Sequence, residues 1–589
     1  MKTECSMLFL LFSFVTAFVF NNEIETGYKQ VGDKFKTLLW KYLSKTSKPG
    51  VIDFLDFEEH LKSLKAHKKP SFGDYYILRG SLNIPYAEIV EPFSAWIDFE
   101  AGDSRIDFYG GMMKTYQLAN EGDYGVMYRV APMTTETVQN EMNCFQITGA
   151  GDSPVAPQGV IPDLDDFEHV SDEVIEGEDC QVWRNITTSG DKTNTYTLWL
   201  KKQDGHAVPV RYEMKGFNNI LGSHYDHYYI DYEEFSPEKP DSGVFKVEGV
   251  ATSCHEFPGP GLDHVYTFNP MKEFIYYHDK HVEDNFDQFK RHHKRNYHNE
   301  TEQESRKNVF RHNLRYIHSK NRANLSFRLG VNHLADRTQA ELKVLRGKQK
   351  SSGGYNGGLP FKYTKKELRD VPKAFDWRLR GAVTPVRDQS VCGSCWSFGT
   401  AGAIEGALFV KTGKLVAVSQ QALVDCSWGF GNNGCDGGED FRAYQWMIKH
   451  KGIPTDESYG PYLGADGYCH LDNVNMVAPI KGYVNVTSGD SDALKVAIWK
   501  HGPISVAIDA AHLSFAFYAN GVYYEPKCGN TLDDLDHAVL AVGYGTLKGE
   551  PYWLVRNSWS TYWGNDGYVL MSMRNNNCGV ETFPTYVVL

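Results

Sequence analysis

The chain has 589 residues, more than one hydrophobic core accommodates, so its length predicts several domains. Its formal net charge of -13 at pH 7 argues against nucleic acid as the main partner, because that function requires a concentrated basic surface. A net negative charge otherwise relates to solubility and not to a particular function. The function therefore has to be inferred from motifs in the sequence.

An apolar run follows the first residues of the chain. Lys2 precedes apolar residues from Met7 to Phe20, a pattern typical of a secretory signal with cleavage after Ala17. The run, of about 14 residues, is shorter than the roughly 20 that a membrane span requires. We therefore expect residues 1–17 to be a signal peptide, and the chain to enter a compartment where disulfides persist.

Residues 18–270 contain many short runs rich in Tyr, Phe, Val, Ile and Thr. Examples are SAWIDFE (94–100) and HYYIDYEEF (227–235), and Gly, Asp, Asn and Pro separate such runs. This pattern predicts a β-rich N-terminal domain with a curved antiparallel sheet. His224 and His227 lie an odd number of residues apart, so a strand directs them to opposite faces and no metal site is predicted.

Residues 275–345 change to a helical pattern with interleaved charges. Six residues recur at steps of three or four, which places them on one helix face: Glu302, Arg306, Phe310, Asn313, Ile317 and Asn321. Glu302 and Arg306 are spaced to form an ion pair.

These six residues resemble the E-R-F-N-I-N helix in the inhibitory propeptide of cathepsin L-like cysteine proteases. GVNHLAD (330–336) is similar to the G-x-N-x-F-x-D stretch of that family, with Leu334 where Phe is usual. The resemblance implies a propeptide that inhibits the chain's own protease domain. Residues 346–369 are rich in Gly, Ser and Lys, which predicts a flexible linker where processing occurs.

Cys392 and Cys395 lie in QSVCGSCWSF (389–398), a spacing found in redox pairs, zinc sites and around catalytic thiols. Apolar residues after Cys395 recur at helical intervals as far as Gly413, which predicts that Cys395 begins a helix. The helix dipole stabilises a thiolate at that position. The last third of the chain holds an odd number of cysteines, which indicates one free thiol and weakens the zinc alternative.

Residues 370–589 resemble a mature papain-like protease from VPKAFDW onward. The resemblance implies a two-lobed domain in which Cys395 is the nucleophile and His537 its base. It gives Asn557 the role of orienting the imidazole, with Trp559 shielding their hydrogen bond, and Gln389 that of an oxyanion donor. Ser560 stands where the family has Gly.

The resemblance also implies three disulfides and leaves Cys395 free. The pairs are Cys392 with Cys435, Cys426 with Cys469, and Cys528 with Cys578. The pairing of the three cysteines in the first half of the chain stays open: Cys144, Cys180 and Cys254.

The same resemblance places a substrate-binding set around the thiol. Gly437 and Gly438 match positions that pair with the substrate backbone, and the main specificity pocket is matched by Glu439, Asp440, Ala507, Leu535, Ala538 and Phe583. The acidic pair stands where related enzymes have less charged residues, so we expect the pocket to admit a basic or polar side chain. The alternative is that both carboxylates point to solvent.

Two further patterns concern the environment of the protein. Sequons for N-glycosylation begin at Asn185, Asn299, Asn324 and Asn485, as in a lysosomal or secreted glycoprotein. Histidines are concentrated in the propeptide stretch: His278, His281, His292, His293, His298, His312, His318 and His333. Imidazole gains its charge in mild acid, so we expect acid to loosen the propeptide.

Together these features predict an α+β precursor of a lysosomal or extracellular cysteine endopeptidase. Its expected partners are protein and peptide substrates and its own propeptide, without cofactor, metal, nucleic acid or membrane span. The extra domain ahead of the propeptide resembles the two-chain cathepsin L-like proteases of insect haemocytes, which implies that the N-terminal chain stays associated after processing. The alternative is an N-terminal module that binds a lipid or a partner and delivers the protease.

Overall fold

The computed structural model describes residues 69–133, 141–175, 177–203, 206–247, 254–256, 270–277, 280–350 and 354–589. The expected signal peptide, residues 1–17, lies outside this part of the chain. The described residues belong to one compact unit that begins at Lys69.

A twelve-stranded sheet forms the N-terminal part of the described chain. Its strands are β1 (Tyr75–Ile84), β2 (Ile89–Asp98), β3 (Asp103–Phe108), β4 (Met113–Leu118), β5 (Val126–Met133), β6 (Glu141–Thr148), β7 (Glu168–Ile175), β8 (Glu178–Ser189), β9 (Lys192–Gln203), β10 (His206–Asn218), β11 (Ser223–Ser236) and β12 (His255–Glu256). This sheet confirms the predicted β-rich domain.

The sheet consists of two meanders, β1 to β6 and β7 to β11, which join where β1 pairs with β11. These neighbours are antiparallel, whereas the short β12 runs parallel to β6. A disulfide between Cys144 of β6 and Cys254 links the same two chain segments. Cys180 of β8 is buried and free. Along β2 buried residues alternate with more exposed ones, as the period of a strand requires.

The segment that follows the sheet contains the predicted propeptide, residues 275–345, and consists of four helices and one strand. They are α1 (Met271–Tyr276), α2 (Lys280–His292), α3 (Glu300–Arg322), β13 (Phe327–Leu329) and α4 (Gln339–Val344). Asn299 caps α3 by accepting from the backbone N–H of Glu302, and Thr338 forms a capping box with Glu341 at the start of α4. Apolar residues of α1, α2 and α3 share one core with the inner face of the N-terminal sheet.

The rest of the chain comprises the predicted linker, residues 346–369, and the predicted protease domain, residues 370–589. Its helices are α5 (Lys365–Asp370), α6 (Cys395–Thr412), α7 (Gln420–Cys426), α8 (Asp440–His450), α9 (Asp456–Tyr459), α10 (Ser491–His501) and α11 (Leu513–Ala516). Its strands are β14 (Leu359–Pro360), β15 (Phe375–Asp376), β16 (Ile453–Pro454), β17 (Met476–Val477), β18 (Gly482–Asn485), β19 (Ile504–Ile508), β20 (Tyr518–Tyr523), β21 (His537–Leu547), β22 (Glu550–Arg556), β23 (Tyr568–Ser572) and β24 (Thr585–Val588).

Two cores divide this domain into lobes. Residues of α6, α7 and α8 share the helical core, whereas β19, β21, β22 and β23 supply residues to the core of a mixed sheet. Strands β22, β21, β19 and β24 are neighbours in that sheet, and β13 of the propeptide extends its edge by pairing with β20. The first residue of α6 is Cys395 and the first residue of β21 is His537, so the two lobes bring these residues to one cleft.

The expected flexible linker, residues 346–369, makes specific contacts in its described parts, 346–350 and 354–369, whereas residues 351–353 lie outside the described residues. Residues 346–350 lie in the cleft, β14 pairs with β18, and α5 begins with a capping box. The glycines that suggested flexibility serve close packing instead. A Cβ on Gly347 would lie 1.7 Å from the backbone oxygen of Gly393, and one on Gly358 would lie 2.6 Å from the Asn485 side chain.

Candidate active site

The thiol of Cys395 is fully buried at the N-terminus of α6. A Cβ on Gly402 of α6 would lie 2.5 Å from the side chain of Leu540 on β21, so glycine at this position lets the helix approach the strand. The close approach brings the positive end of the helix dipole to the cleft. The backbone N–H of Ala538 donates to Sγ of Cys395 over 3.4 Å, which places the thiol beside the start of β21.

The imidazole of His537 is held from its far side. Its Nε2 lies 2.8 Å from Oδ1 of Asn557, which follows β22. The Trp559 ring lies 4.8 Å from the imidazole and is 3% exposed, so it separates this hydrogen bond from solvent. Because Nε2 is engaged with Asn557, Nδ1 is the ring nitrogen that remains for the thiol.

The amide of Gln389 is fixed by its two ends. Oε1 accepts from the hydroxyl of Ser558 over 2.7 Å, and Nε2 donates to the carbonyl of Cys392 over 2.8 Å. The same Nε2 donates to the carbonyl oxygen of Leu345 in the propeptide over 2.9 Å. The amide is therefore oriented so that its donor meets a carbonyl oxygen in the cleft.

The propeptide segment 345–349 runs through the cleft in contact with both lobes. Gly438 donates its N–H to the carbonyl of Gly347 over 2.9 Å and accepts from the N–H of Gln349 over 3.1 Å. The N–H of Lys348 donates to the carbonyl of Asp536 over 3.0 Å on the opposite side. The segment therefore covers the thiol and occupies backbone groups of Gly438 and Asp536 on the two sides of the cleft.

Burial controls the protonation of the thiol and the imidazole in this covered state. It raises the pKa of Cys395 from 9.0 to about 11, because a thiolate is poorly solvated in the closed cleft. It lowers the pKa of His537 from 6.5 to about 4, although the hydrogen bond to Asn557 favours the charged ring. At neutral pH both groups are therefore uncharged while the propeptide is in place.

A cavity beside the thiol corresponds to the predicted specificity pocket. It is lined by Lys348, Trp396, Glu439, Asp440, Ser505, Val506, Ala507, Ala538 and Phe583. Leu535, which was expected in this wall, is not among these lining residues; it is buried and lies against Gly579. Glu439 and Asp440 are both buried, so neither carboxylate points to solvent.

The cysteines of the protease domain answer the question raised by the C-x-x-C spacing. The disulfides join Cys392 with Cys435, Cys426 with Cys469, and Cys528 with Cys578. Cys395 is free, so the two cysteines of the motif have different chemistry. Asp509 and His512 lie near Cys528, but the disulfide of Cys528 removes the thiolate that a metal would bind.

The six propeptide residues have distinct contacts. Arg306 forms a bidentate pair with Glu341 of α4 at 2.6 and 2.8 Å, and its distance to the expected partner Glu302 is 3.9 Å. The amides of Asn313 and Asn321 donate to backbone carbonyls of the chain that returns after α3. The two apolar residues are buried in the shared core. The motif therefore fixes the segment that leads into the cleft.

A buried thiol beside an oriented imidazole, with an inhibitory segment across both, defines the precursor of a cysteine protease. Residues 371–588 match the family described as papain family cysteine protease, and residues 286–342 match the cathepsin propeptide inhibitor domain. The chain belongs to the papain family of cysteine proteases.

Known relatives match about half of this chain. A cathepsin L-like peptidase of Aedes aegypti is 46% identical over 52% of this chain and 93% of its own length. Digestive cysteine proteinase 2 of Homarus americanus is 43% identical over 51% of this chain and 93% of its own. The solved procathepsin L2 of Tenebrio molitor larval midgut is 36% identical over 52% of this chain and all of its own, with a TM-score of 0.49.

The sequence did not point to several residues of this site. Ser505 faces the pocket two residues before Ala507 on β19, and the alternation of a strand was the available signal. Ser558 orients Gln389, and Lys348 and Leu345 occupy the cleft. These contacts join segments that are far apart in the chain, so no local sequence pattern predicts them.

Proposed function

We propose that the processed chain hydrolyses peptide bonds with Cys395 as nucleophile and His537 as general acid and base. The observation that supports this function best is that the Cys395 thiol lies beside the start of β21, where His537 stands. The imidazole of His537 is oriented there by a hydrogen bond of 2.8 Å to Asn557. In the precursor, burial disfavours the thiolate of Cys395. Once the propeptide has left, solvent and the His537 imidazolium stabilise that thiolate.

The proposed reaction has two steps. The thiolate attacks the peptide carbonyl carbon, and the resulting oxyanion accepts from Nε2 of Gln389 and the backbone N–H of Cys395. The His537 imidazolium gives its proton to the leaving amine, which departs and leaves a thioester on Cys395. In the second step His537 takes a proton from water, the hydroxide attacks the thioester, and the acid product leaves with regeneration of the thiol.

Kinetics of the acid-processed protein test this proposal. Cys395→Ser and His537→Ala should abolish hydrolysis of reporter peptides, whereas Gln389→Ala should lower kcat by roughly 10²–10³-fold with little change in KM. Glu457→Gln, at an exposed position, is the control. Full activity in Cys395→Ser would overturn the proposal.

We also infer that the N-terminal sheet is a binding module whose partner is the propeptide of the same chain. Arg315 of α3 makes a bidentate bond to Asp226 of β11 at 2.7 and 2.9 Å and reaches Glu273 of α1 at 2.7 Å. Arg322 binds both oxygens of Glu91 on β2 at 2.5 and 2.7 Å. All these side chains are buried.

These pairs favour the propeptide over a lipid as occupant of the sheet's inner face. Apolar residues that a lipid would need already pack against Met271, Phe274 and Ile275 of α1. Removing one partner of a buried pair leaves an uncompensated charge, which costs roughly 3–5 kcal/mol. The N-terminal chain would accordingly stay with the protease for as long as α3 is intact.

A double-mutant cycle tests this second proposal. Arg322→Met should shorten the half-time of acid activation, and Glu91→Met combined with it should restore much of the stability, because no charge is then left unpaired. The exposed Arg291→Met is the control. Equal half-times for Arg322→Met, Arg291→Met and the wild type would contradict the proposal.

We propose the secretory pathway as the location, ending in the lysosome or outside the cell. Four disulfides support a compartment in which they persist. In the described part of the chain, every helix is too short or too polar to span a membrane. The sequons at Asn299 and Asn324 are exposed, whereas Nδ2 of Asn485 donates to Asn356 and Asn185 is half-buried. Mass spectrometry of the secreted precursor with and without glycosidase tests the first two sequons.

A further inference from the structure

The side chain that fills the specificity pocket is a lysine from the propeptide. Nζ of Lys348 lies 3.8 Å from Oε1 of Glu439 and 5.7 Å from the centre of the Phe583 ring. The side chains of Lys348 and Glu439 are 4% and 1% exposed, so both ends of this ion pair are out of solvent. The chain thus places its own cation in the pocket beside Cys395.

The two acidic residues of the pocket have different partners. Oε2 of Glu439 lies 3.0 Å from Nε of Arg442, which leaves Oε1 to face Lys348. The carboxylate of Asp440 instead accepts from the hydroxyl of Thr585 at 2.5 Å. Glu439 is therefore the carboxylate that meets an incoming side chain, and Asp440 belongs to the wall.

When the propeptide leaves, Oε1 of Glu439 loses its cation in a pocket whose remaining walls are largely apolar. A substrate with an apolar side chain would leave this oxygen buried and unpaired, which costs binding energy. A lysine or arginine side chain would replace the ion pair, and the Phe583 ring would add a cation–π contact. A site built around a polar partner discriminates against substrates that lack it.

Resting on the proposed protease function, we infer that Glu439 makes this enzyme select lysine or arginine at the substrate residue whose backbone pairs with Gly438. The substrate class is thus peptides with a basic residue next but one before the cleaved bond.

Reporter peptides X-Arg-aminomethylcoumarin with Arg, Lys, Leu or Phe at X test the inference on the processed enzyme, after titration of the active thiol. The wild type should show a kcat/KM for Arg or Lys at least about tenfold above that for Leu or Phe. Glu439→Gln, nearly isosteric, should lose at least about tenfold on the basic peptides and gain rate on the Leu and Phe peptides, because an apolar side chain then leaves no buried charge unpaired. The exposed Glu457→Gln is the matched control.

The outcomes separate this inference from the proposed function. A wild type that cleaves the Leu and Phe peptides faster than the basic ones overturns the inference and leaves the protease function intact, whatever the variants do. An unchanged ratio of rates in Glu439→Gln also overturns it. A wild type that cleaves no peptide, although its thiol is titrated, overturns the proposed function and this inference with it.

Discussion

Nε2 of Gln389 donates a hydrogen bond of 2.9 Å to the carbonyl oxygen of Leu345. The propeptide thus places one of its own carbonyls where the oxyanion of a substrate would be held. Gly347 and Gln349 also pair with Gly438, so the inhibitory segment occupies backbone groups of the cleft as well as the Gln389 donor.

The state of the thiol yields the first prediction. With its pKa raised to about 11 by burial, Cys395 of the precursor should react with iodoacetamide at a rate that still rises near pH 10. The processed enzyme should already react in mild acid, because its thiolate pairs with His537. Rates measured across pH, with Cys395→Ser as a blank, check this. Identical pH profiles for both forms would be evidence against it.

A second prediction concerns the closest contact of the inhibitory segment. Alanine at Gly347 puts a Cβ 1.7 Å from the backbone oxygen of Gly393, so the segment must move away from the thiol. Overpacking of this kind costs roughly 1–3 kcal/mol, and Gly347→Ala should shorten the half-time of acid activation about tenfold. Gly429→Ala, at an open surface position, is the control. Equal half-times would show that Gly347 is not needed for inhibition.

The residues of the proposed catalytic site were recognisable in the sequence because they stand in short motifs. Cys395 begins a helix with a visible periodicity, and His537 and Asn557 lie in stretches that resemble one family. The position of the segment in the cleft was not predictable, because a run rich in Gly suggests a flexible chain. In the structure, Gly347 instead permits close contact with the backbone of Gly393. The pairing of Arg315 with Asp226 was not predictable from the sequence either. Charged residues along a helix normally predict a face that is exposed to solvent.

Acid should weaken the precursor through His312 of α3. Burial lowers its pKa from 6.5 to about 4, with Asp226 opposing and Arg315 reinforcing the effect. Because the folded pKa lies below the unfolded one, the unfolded chain binds the proton more readily, and stability falls as pH drops from about 6.5 to 4. The full loss is on the order of 3 kcal/mol.

Melting temperatures of the precursor at neutral and acid pH test the contribution of His312. The quantity compared is the fall in melting temperature between the two pH values. His312→Gln should reduce this fall, whereas the exposed His298→Gln should not. An unchanged fall in His312→Gln would remove this residue from the acid response.

Ser560 provides a prediction about stability. It has φ of 69°, in the left-handed region, at the position where the family has Gly. Ser560→Gly should raise the free energy of unfolding by about 1 kcal/mol without a change in kcat. Ser560→Ala retains the Cβ and should not stabilise the protein. Thermal unfolding of the two variants therefore distinguishes relief of backbone strain from loss of the hydroxyl.

Labelling with an epoxide inhibitor of cysteine proteases tests the central claim most directly. Precursor and acid-processed protein, each beside a Cys395→Ala control, are treated and every chain is analysed by mass spectrometry. The account predicts one label, on Cys395, in the processed form and none in the precursor. Label on the precursor at the same rate, or label that persists in Cys395→Ala, would contradict the assignment of the nucleophile and of the inhibitory segment.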